Sequence, residues 1–219
     1  KTPLEMKLAD SEKAEKALNT ARKIVNPYGV CVTGIDRDEY AGKELGSFNG
    51  SKAFSYTGAV MTLPTGVSAI AENNYGNPDQ ALDYLKRMGR SFSFALPGSI
   101  YEVSPDYGMF AQAWNLYSYA VPVVQQFFGI EPVASERKIN INPLMPSSWD
   151  FAKLENVLVG DNQISIDYKK TSAGYELIVK SEENGWDLVV ETRKGYTILT
   201  KEVLDEKTSK YIVEKESEK

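Results

Sequence analysis

The feature that most constrains this chain is a change of hydrophobic period after Gly129. Upstream, apolar residues recur at helical spacing. Ala14, Ala17, Leu18, Ala21 and Ile24 come after a cap at Asp10 or Ser11, and Asn26-Pro27-Tyr28-Gly29 stops that helix. A segment within Tyr56–Asn74 is apolar or small on nearly every side, which predicts a helix buried all round, with Pro64 opening or kinking it. Asn77 and Pro78 open an amphipathic helix with Ala81, Leu82, Leu85 and Met88 inward. A fourth helix is expected from about Met109 to Phe128, its inward stripe being Phe110, Ala113, Trp114, Tyr117, Val121, Val124 and Phe128. Downstream the period falls to two: Ile139/Ile141, Ile164/Ile166/Tyr168, Tyr175/Leu177/Val179 and Trp186/Leu188/Val190. Ser172-Ala173-Gly174, Asn184-Gly185 and Lys194-Gly195 stand where tight turns belong, and Tyr211–Val213 can add a strand. The expectation is an α plus β chain in two domains, helices over 1–133 and an antiparallel β-domain over 134–219.

Residue usage narrows the chemistry. The chain has no histidine, which removes Ser-His-Asp and Cys-His catalysis and imidazole metal sites. Its one cysteine, Cys31, excludes an internal disulfide and a cysteine-based zinc site, and reads as a buried residue between two valines. A net charge of −5 gives no electrostatic case for nucleic acid or an anionic membrane. No apolar run has the length of a membrane span. No cofactor or metal is expected; Asp161-Asn162 lacks the spaced oxygen ligands of a calcium loop. Any catalysis must rest on carboxylates, and 13 Tyr and 3 Trp supply the aromatic faces that a sugar site uses. The chain opens at Lys1 without a basic-then-apolar signal. The expectation is that its true N-terminus, and any address that would separate cytoplasmic from periplasmic or secreted, is missing.

Long and short connections alternate between the expected helices. In an up-down array, alternate connections lie at one end, so the loops 30–55 and 90–108 should share an end where a site is built. The densest chemistry lies in the second loop and at the start of the fourth helix: Tyr101, Glu102, Asp106 and Tyr107, then Gln112 and Trp114. The first loop holds Asp36-Arg37-Asp38-Glu39, where Asp36 and Arg37 are candidates for sugar hydroxyls. Each has a plainer reading: Glu102 and Asp106 as solvated charges or caps, the Asp36 run as a charged surface, Trp114 as core, and Trp149 and Trp186 as β-domain core.

Three stretches resemble the closing part of six-hairpin (α/α)6-barrel glycosidases, the glucoamylase-, trehalase-, rhamnosidase- and amylo-α-1,6-glucosidase-like enzymes. They are Tyr56-Thr57-Gly58-Ala59-Val60-Met61 with Thr65-Gly66-Val67 and Ala71-Glu72; Gly98 to Trp114, leading to Phe127-Phe128-Gly129-Ile130; and Ile139 to Pro146 with Trp149, Leu154 and Val159-Gly160-Asp161-Asn162. The likeness spans most of residues 4–190 and is greatest to bacterial glycogen-debranching proteins. It implies the last antiparallel helices of such a barrel followed by a β-sandwich. It also implies inverting hydrolysis of an α-linked glucan or oligosaccharide, with Glu102 as the general base that activates water. An inverting pair of carboxyls stands roughly 6.5–9.5 Å apart. The resemblance puts the general acid upstream, so this chain alone lacks it, and the rest of its own barrel is an expected partner. Without that partner the Tyr56–Ala71 helix should expose an apolar face. The alternatives are a non-catalytic carbohydrate-binding or structural module, or a phosphorolytic relative that needs no protein base.

Overall fold

The computed structural model describes residues 1–32, 59–104, 106–183 and 185–216. They form two compact units, Lys1–Pro122 and Val123–Lys219. The division therefore falls at 122/123, ahead of the expected 133/134.

In the first unit, α1 (Thr2–Glu5) and α2 (Ser11–Ala21) precede a two-stranded hairpin of β1 (Val25–Asn26) and β2 (Gly29–Val30). The Asp10 side chain caps α2 by accepting from the Lys13 N–H. The Asn26 side chain accepts from the N–H groups of Tyr28 and Gly29, which closes the hairpin turn, while α2 has already ended at Ala21, short of the expected Ile24. Helices α3 (Thr62–Asn74), α4 (Pro78–Gly89) and α5 (Ala113–Ala120) complete the helical set.

Helix α3 is the hub. Ten of its residues, from Thr62 to Asn73, are buried, and α1, α2, α4, α5 and β2 all pack on it. Its expected exposed apolar face does not exist in residues 62–74, because this unit's own short elements cover it. Glu72, fully buried near its C-terminus, is held by a two-pronged contact from Arg22 (Nε–Oε1 2.9 Å, Nη2–Oε2 2.5 Å) and by the Tyr84 hydroxyl at 3.4 Å. A buried carboxylate is tolerated when a cation and hydrogen bonds replace its water. Burial first, and the Glu72 charge second, push the Tyr84 hydroxyl well above its ordinary pKa.

Helix α5 turns over relative to expectation. Asn115 and Ser118 face inward, while Trp114, Leu116 and Tyr117 are exposed. The cause is the close approach of α5 to α3 at Gly66. A Cβ there would lie 2.2 Å from the Ser118 Cβ, so only small side chains fit between the two backbones. The Ser118 hydroxyl lies within reach of the Thr62 carbonyl (3.3 Å) and that of Trp114 (3.0 Å). The regular helix ends at Ala120. Pro122 has no N–H for the i→i−4 ladder, and Val121–Phe127 winds as a π-helix instead of continuing to 128.

The second unit is built from β3 (Ile130–Val133), β4 (Lys138–Ile141), β5 (Phe151–Val159), β6 (Asn162–Lys170), β7 (Gly174–Ser181), β8 (Asp187–Val190), β9 (Tyr196–Val203) and β10 (Thr208–Lys215). One sheet runs β5-β6-β7-β10-β9, antiparallel throughout. The other runs β3-β4-β8. Ile130, Ile139 and Ile141 from the small sheet meet Ile164, Ile166, Leu177, Val179 and Val213 from the large one in a single core. Strand β8 joins β4 in parallel, so the unit is not purely antiparallel. On its surface the Trp186 indole donates to Asp161 (2.8 Å), and Arg137 lies over the Trp186 ring and pairs with Asp161 (3.1 Å). Trp149 and Trp186 are half-buried, Trp149 edge-on to Phe127 at 5.4 Å.

The expected partial (α/α)6 barrel is thus overturned. The described residues hold five α-helices of 4 to 13 residues and ten strands in three sheets, a mixed α/β fold. A barrel of paired helices needs long antiparallel rods. Here α1 is a single turn and α5 stops short of Pro122, so helical periodicity in the sequence overstated helix length. No helix among the described residues is long and apolar enough to cross a membrane.

Gly66→Ala should overpack the α3/α5 contact and cost about 1–3 kcal/mol in urea unfolding of the first unit. In the second unit, the Trp186 hydrogen bond first, and the Arg137 charge after desolvation, hold the Asp161 carboxyl below its ordinary pKa. A carboxyl lowered on folding contributes stability above its unfolded pKa, and that stability is lost as pH falls through the folded value. Asp161→Asn should therefore weaken the acid-side decline of this unit's stability, measured by thermal unfolding from pH 6 down to pH 2.

Candidate functional site

The N-terminus of α3 gathers both long connections at their described ends. Val32 N–H donates to the Ala59 carbonyl (2.8 Å), and Cys31 bridges Val60. Met61 bridges Val103, which in turn pairs with Tyr107. Glu102 stands in this lattice with its backbone held on both sides. Its carbonyl accepts from Thr62 N–H (2.9 Å) and its N–H donates to the Met109 carbonyl (2.7 Å). The neighbours are fixed as well. The Thr62 hydroxyl donates to the Tyr101 carbonyl at 2.6 Å, and Ser104 N–H donates to the Val60 carbonyl at 2.9 Å. The Asn115 amide donates to the Ile100 carbonyl at 2.8 Å. Orphan groups at a helix start have been matched to a loop that would otherwise bury unpaired carbonyls.

The Glu102 side chain is half-buried against Gly108. Gly108 has φ +79°, and a Cβ on it would sit 2.8 Å from the Glu102 Oε2. Two demands, backbone shape and space for the carboxylate, therefore fall on one glycine. The Met109 N–H points to Oε2 at a long 3.5 Å. Asp106 is half-buried and Tyr107 exposed in the same turn. The N-cap of α5 is Gln112, so Asp106 lies well ahead of the helix start and does not fill the capping role open to it. The Gln112 Oε1 accepts from the Trp114 indole, and Trp114 stands half-exposed rather than in a core. Tyr101 packs edge-on to Phe110 at 6.3 Å. Asp36 and Arg37 lie outside the described residues.

Beside this loop opens a groove of about 780 Å³. Ser99, Ile100, Phe110, Ala113 and Leu116 are among the residues that line it. Phe92 and Tyr119 pack edge-on at 5.9 Å along its side. Its lining is mostly carbon. Burial pushes the Tyr119 hydroxyl well above the ordinary phenol pKa. On the solvent side of α5, desolvation and then a hydrogen bond to Glu5 push Tyr117 up to about 12.

Three polar residues that hold the site, Thr62, Asn115 and Ser118, were not singled out from sequence. Their signal is a polar i, i+3 pair inside an otherwise apolar helix together with a Thr at a helix start. That pattern reads as exposed until the neighbouring Gly66 is known. Among the described residues, no group of three or more His, Cys, Asp or Glu is placed to hold a metal ion. No protein-family model matches the chain, and no characterised protein matches it.

Gly108→Ala tests the cradle. The substitution forces a Cβ into the place of the Glu102 carboxylate at a positive φ, so a loss of about 1 kcal/mol or more is expected in urea unfolding. Gly98→Ala also has positive φ but no atom within 4 Å of the new Cβ. It isolates the backbone cost, and the difference between the two reports the displaced carboxylate.

Proposed function

We propose that the chain supplies Glu102 as the general base in hydrolysis of a glycosidic bond, on an α-linked glucan or related oligosaccharide. The observation that carries this reading is the cradle. Glu102 is a carboxylate on a backbone pinned at both N–H and C=O, and a glycine leaves space for its oxygens. Among the described residues no cation neutralises it, and a base must stay free to take a proton from water. Its backbone is positioned by the Thr62 and Met109 bonds rather than by side-chain freedom, as a reacting group requires. What this chain contributes is the base alone. Residues 91–119 contain no Lys or Arg. That favours hydrolysis over phosphorolysis, in which a cation would help hold phosphate in place of water.

A second reading, a non-catalytic binding or structural module, is favoured by one observation: the groove beside Glu102 offers mostly apolar surface and few free polar groups for sugar hydroxyls.

Glu102→Gln separates the two. In the complete enzyme, with the general acid present, it preserves shape and removes the base, so hydrolysis of α-linked gluco-oligosaccharides should fall about a hundredfold or more, with sugar binding retained. Asp106→Asn should stay near wild-type activity there. Absence of hydrolysis by the complete wild-type enzyme would favour the module. Loss of turnover in Asp106→Asn alone would exchange the roles of the two carboxylates.

A further inference from the structure

One half-buried cation in the second unit has no counter-charge. Arg22, Arg87 and Arg137 each pair with a carboxylate. Arg193, in the connection between β8 and β9, pairs with none among the described residues. Its guanidinium donates to two neutral acceptors, the Pro143 carbonyl from Nε (3.1 Å) and the Asn142 carbonyl from Nη2 (3.3 Å). Nη1 is left without a partner among the described residues and is not sealed from solvent. Burial draws the Arg193 pKa below the ordinary guanidinium value, and the Tyr175 phenol and then Glu131 oppose that without forming an ion pair. A cation withdrawn from water is costly unless a charge answers it.

Three tyrosines stand beside it. Tyr168 on β6, Tyr175 on β7 and Tyr196 at the start of β9 form a row, with ring centroids 5.4 and 5.9 Å apart and planes tilted by 36° and 48°. The Tyr196 N–H donates to the Arg193 carbonyl (3.0 Å), which brings the cation to the end of the row. The rings pack with the core of this unit. Their hydroxyls have no hydrogen-bond partner among the described residues and, like Nη1, are not sealed from solvent. Burial first, and neighbouring phenols second, push Tyr168 and Tyr175 each up to about 12. Both keep their protons at neutral pH and remain donors.

Three phenol O–H groups and a guanidinium nitrogen are a set of donors, so a ligand must bring acceptor oxygens and negative charge. One positive charge answers one negative charge. Asp150 acts on Tyr168 and Glu131 on Arg193, so a second negative charge on the ligand would be repelled. A carboxylate meets these conditions and a phosphate dianion does not. We propose that Arg193 and the hydroxyls of Tyr168, Tyr175 and Tyr196 form a binding site for the carboxylate of a small monoanionic acid. The carboxylate oxygens accept from Nη1 and from the phenols, while the two backbone carbonyls hold the guanidinium in place.

This site lies within the second unit and is independent of Glu102, so its test uses no hydrolysis. The probe is sodium acetate, followed by nuclear magnetic resonance at the Arg193 Nε–H and the Tyr196 N–H. Sodium chloride at equal ionic strength corrects for screening. Acetate should shift both signals to saturation with a Kd on the order of millimolar, as for one charge-assisted contact. Arg193→Gln should abolish the saturable shift at Tyr196. Tyr196→Phe keeps the ring, removes one hydroxyl and should weaken acetate by roughly threefold or more. Inorganic phosphate as its dianion should bind more weakly than acetate. Shifts that never saturate, equal shifts from chloride, or undiminished affinity in Tyr196→Phe overturn the proposal. So does tighter binding of the phosphate dianion than of acetate.

Discussion

The contact between Gly66 and Ser118 sets most of the first unit. With no side chain on α3 at that point, α5 settles against its backbone, and the Ser118 hydroxyl reaches the Thr62 carbonyl. One missing Cβ has two consequences. The inward face of α5 must be narrow and polar, so its large apolar residues turn outward. The next inward position, Asn115, comes within reach of the Ile100 carbonyl and anchors the start of the Glu102 loop. Thr62, one helical turn before Gly66, holds the same loop at Tyr101 and Glu102. The candidate site is thus suspended between two helices whose separation a single glycine determines.

The second unit was legible wherever one face of a strand is buried. Alternation at 139–141, 164–168 and 175–179 coincides with β4, β6 and β7, since period-two burial leaves a direct trace in residue type. The parallel pairing of β8 with β4 leaves no such trace: it depends on which edge is free after the chain has travelled through three other strands. In the first unit, the helix starts at Asp10 and Pro78 and the turn at Asn26 were legible because caps and turns act locally. The direction in which α5 faces was not. Phe110, Trp114 and Tyr117 at helical spacing have the same pattern whether the stripe meets a core or solvent. The deciding residue, Gly66, is about fifty positions away. The barrel that the resemblance implied failed for want of helix length, which periodicity does not report.

The site was partly legible. A Gly- and Tyr-rich loop marked Glu102 as a candidate, and the glycine that matters proved to be Gly108, whose positive φ and missing Cβ both serve the carboxylate. The partners of that loop are backbone groups, which carry no residue signature. Thr62 contributes its N–H as much as its hydroxyl, and Met109 its carbonyl.

The two carboxylates at opposite ends of α3 show how the fold distinguishes a structural acid from an available one. Glu72 is fully buried, and its charge is answered by the Arg22 guanidinium through two hydrogen bonds, with Tyr84 alongside. Removing either partner of that pair would leave an uncompensated buried charge. Glu102 is half-buried and, among the described residues, its carboxylate meets one long backbone contact, while its main chain is bound on both sides. Rigidity is supplied to the backbone and withheld from the charge. This difference in partners separates Glu102 from the fully buried acid at the far end of α3.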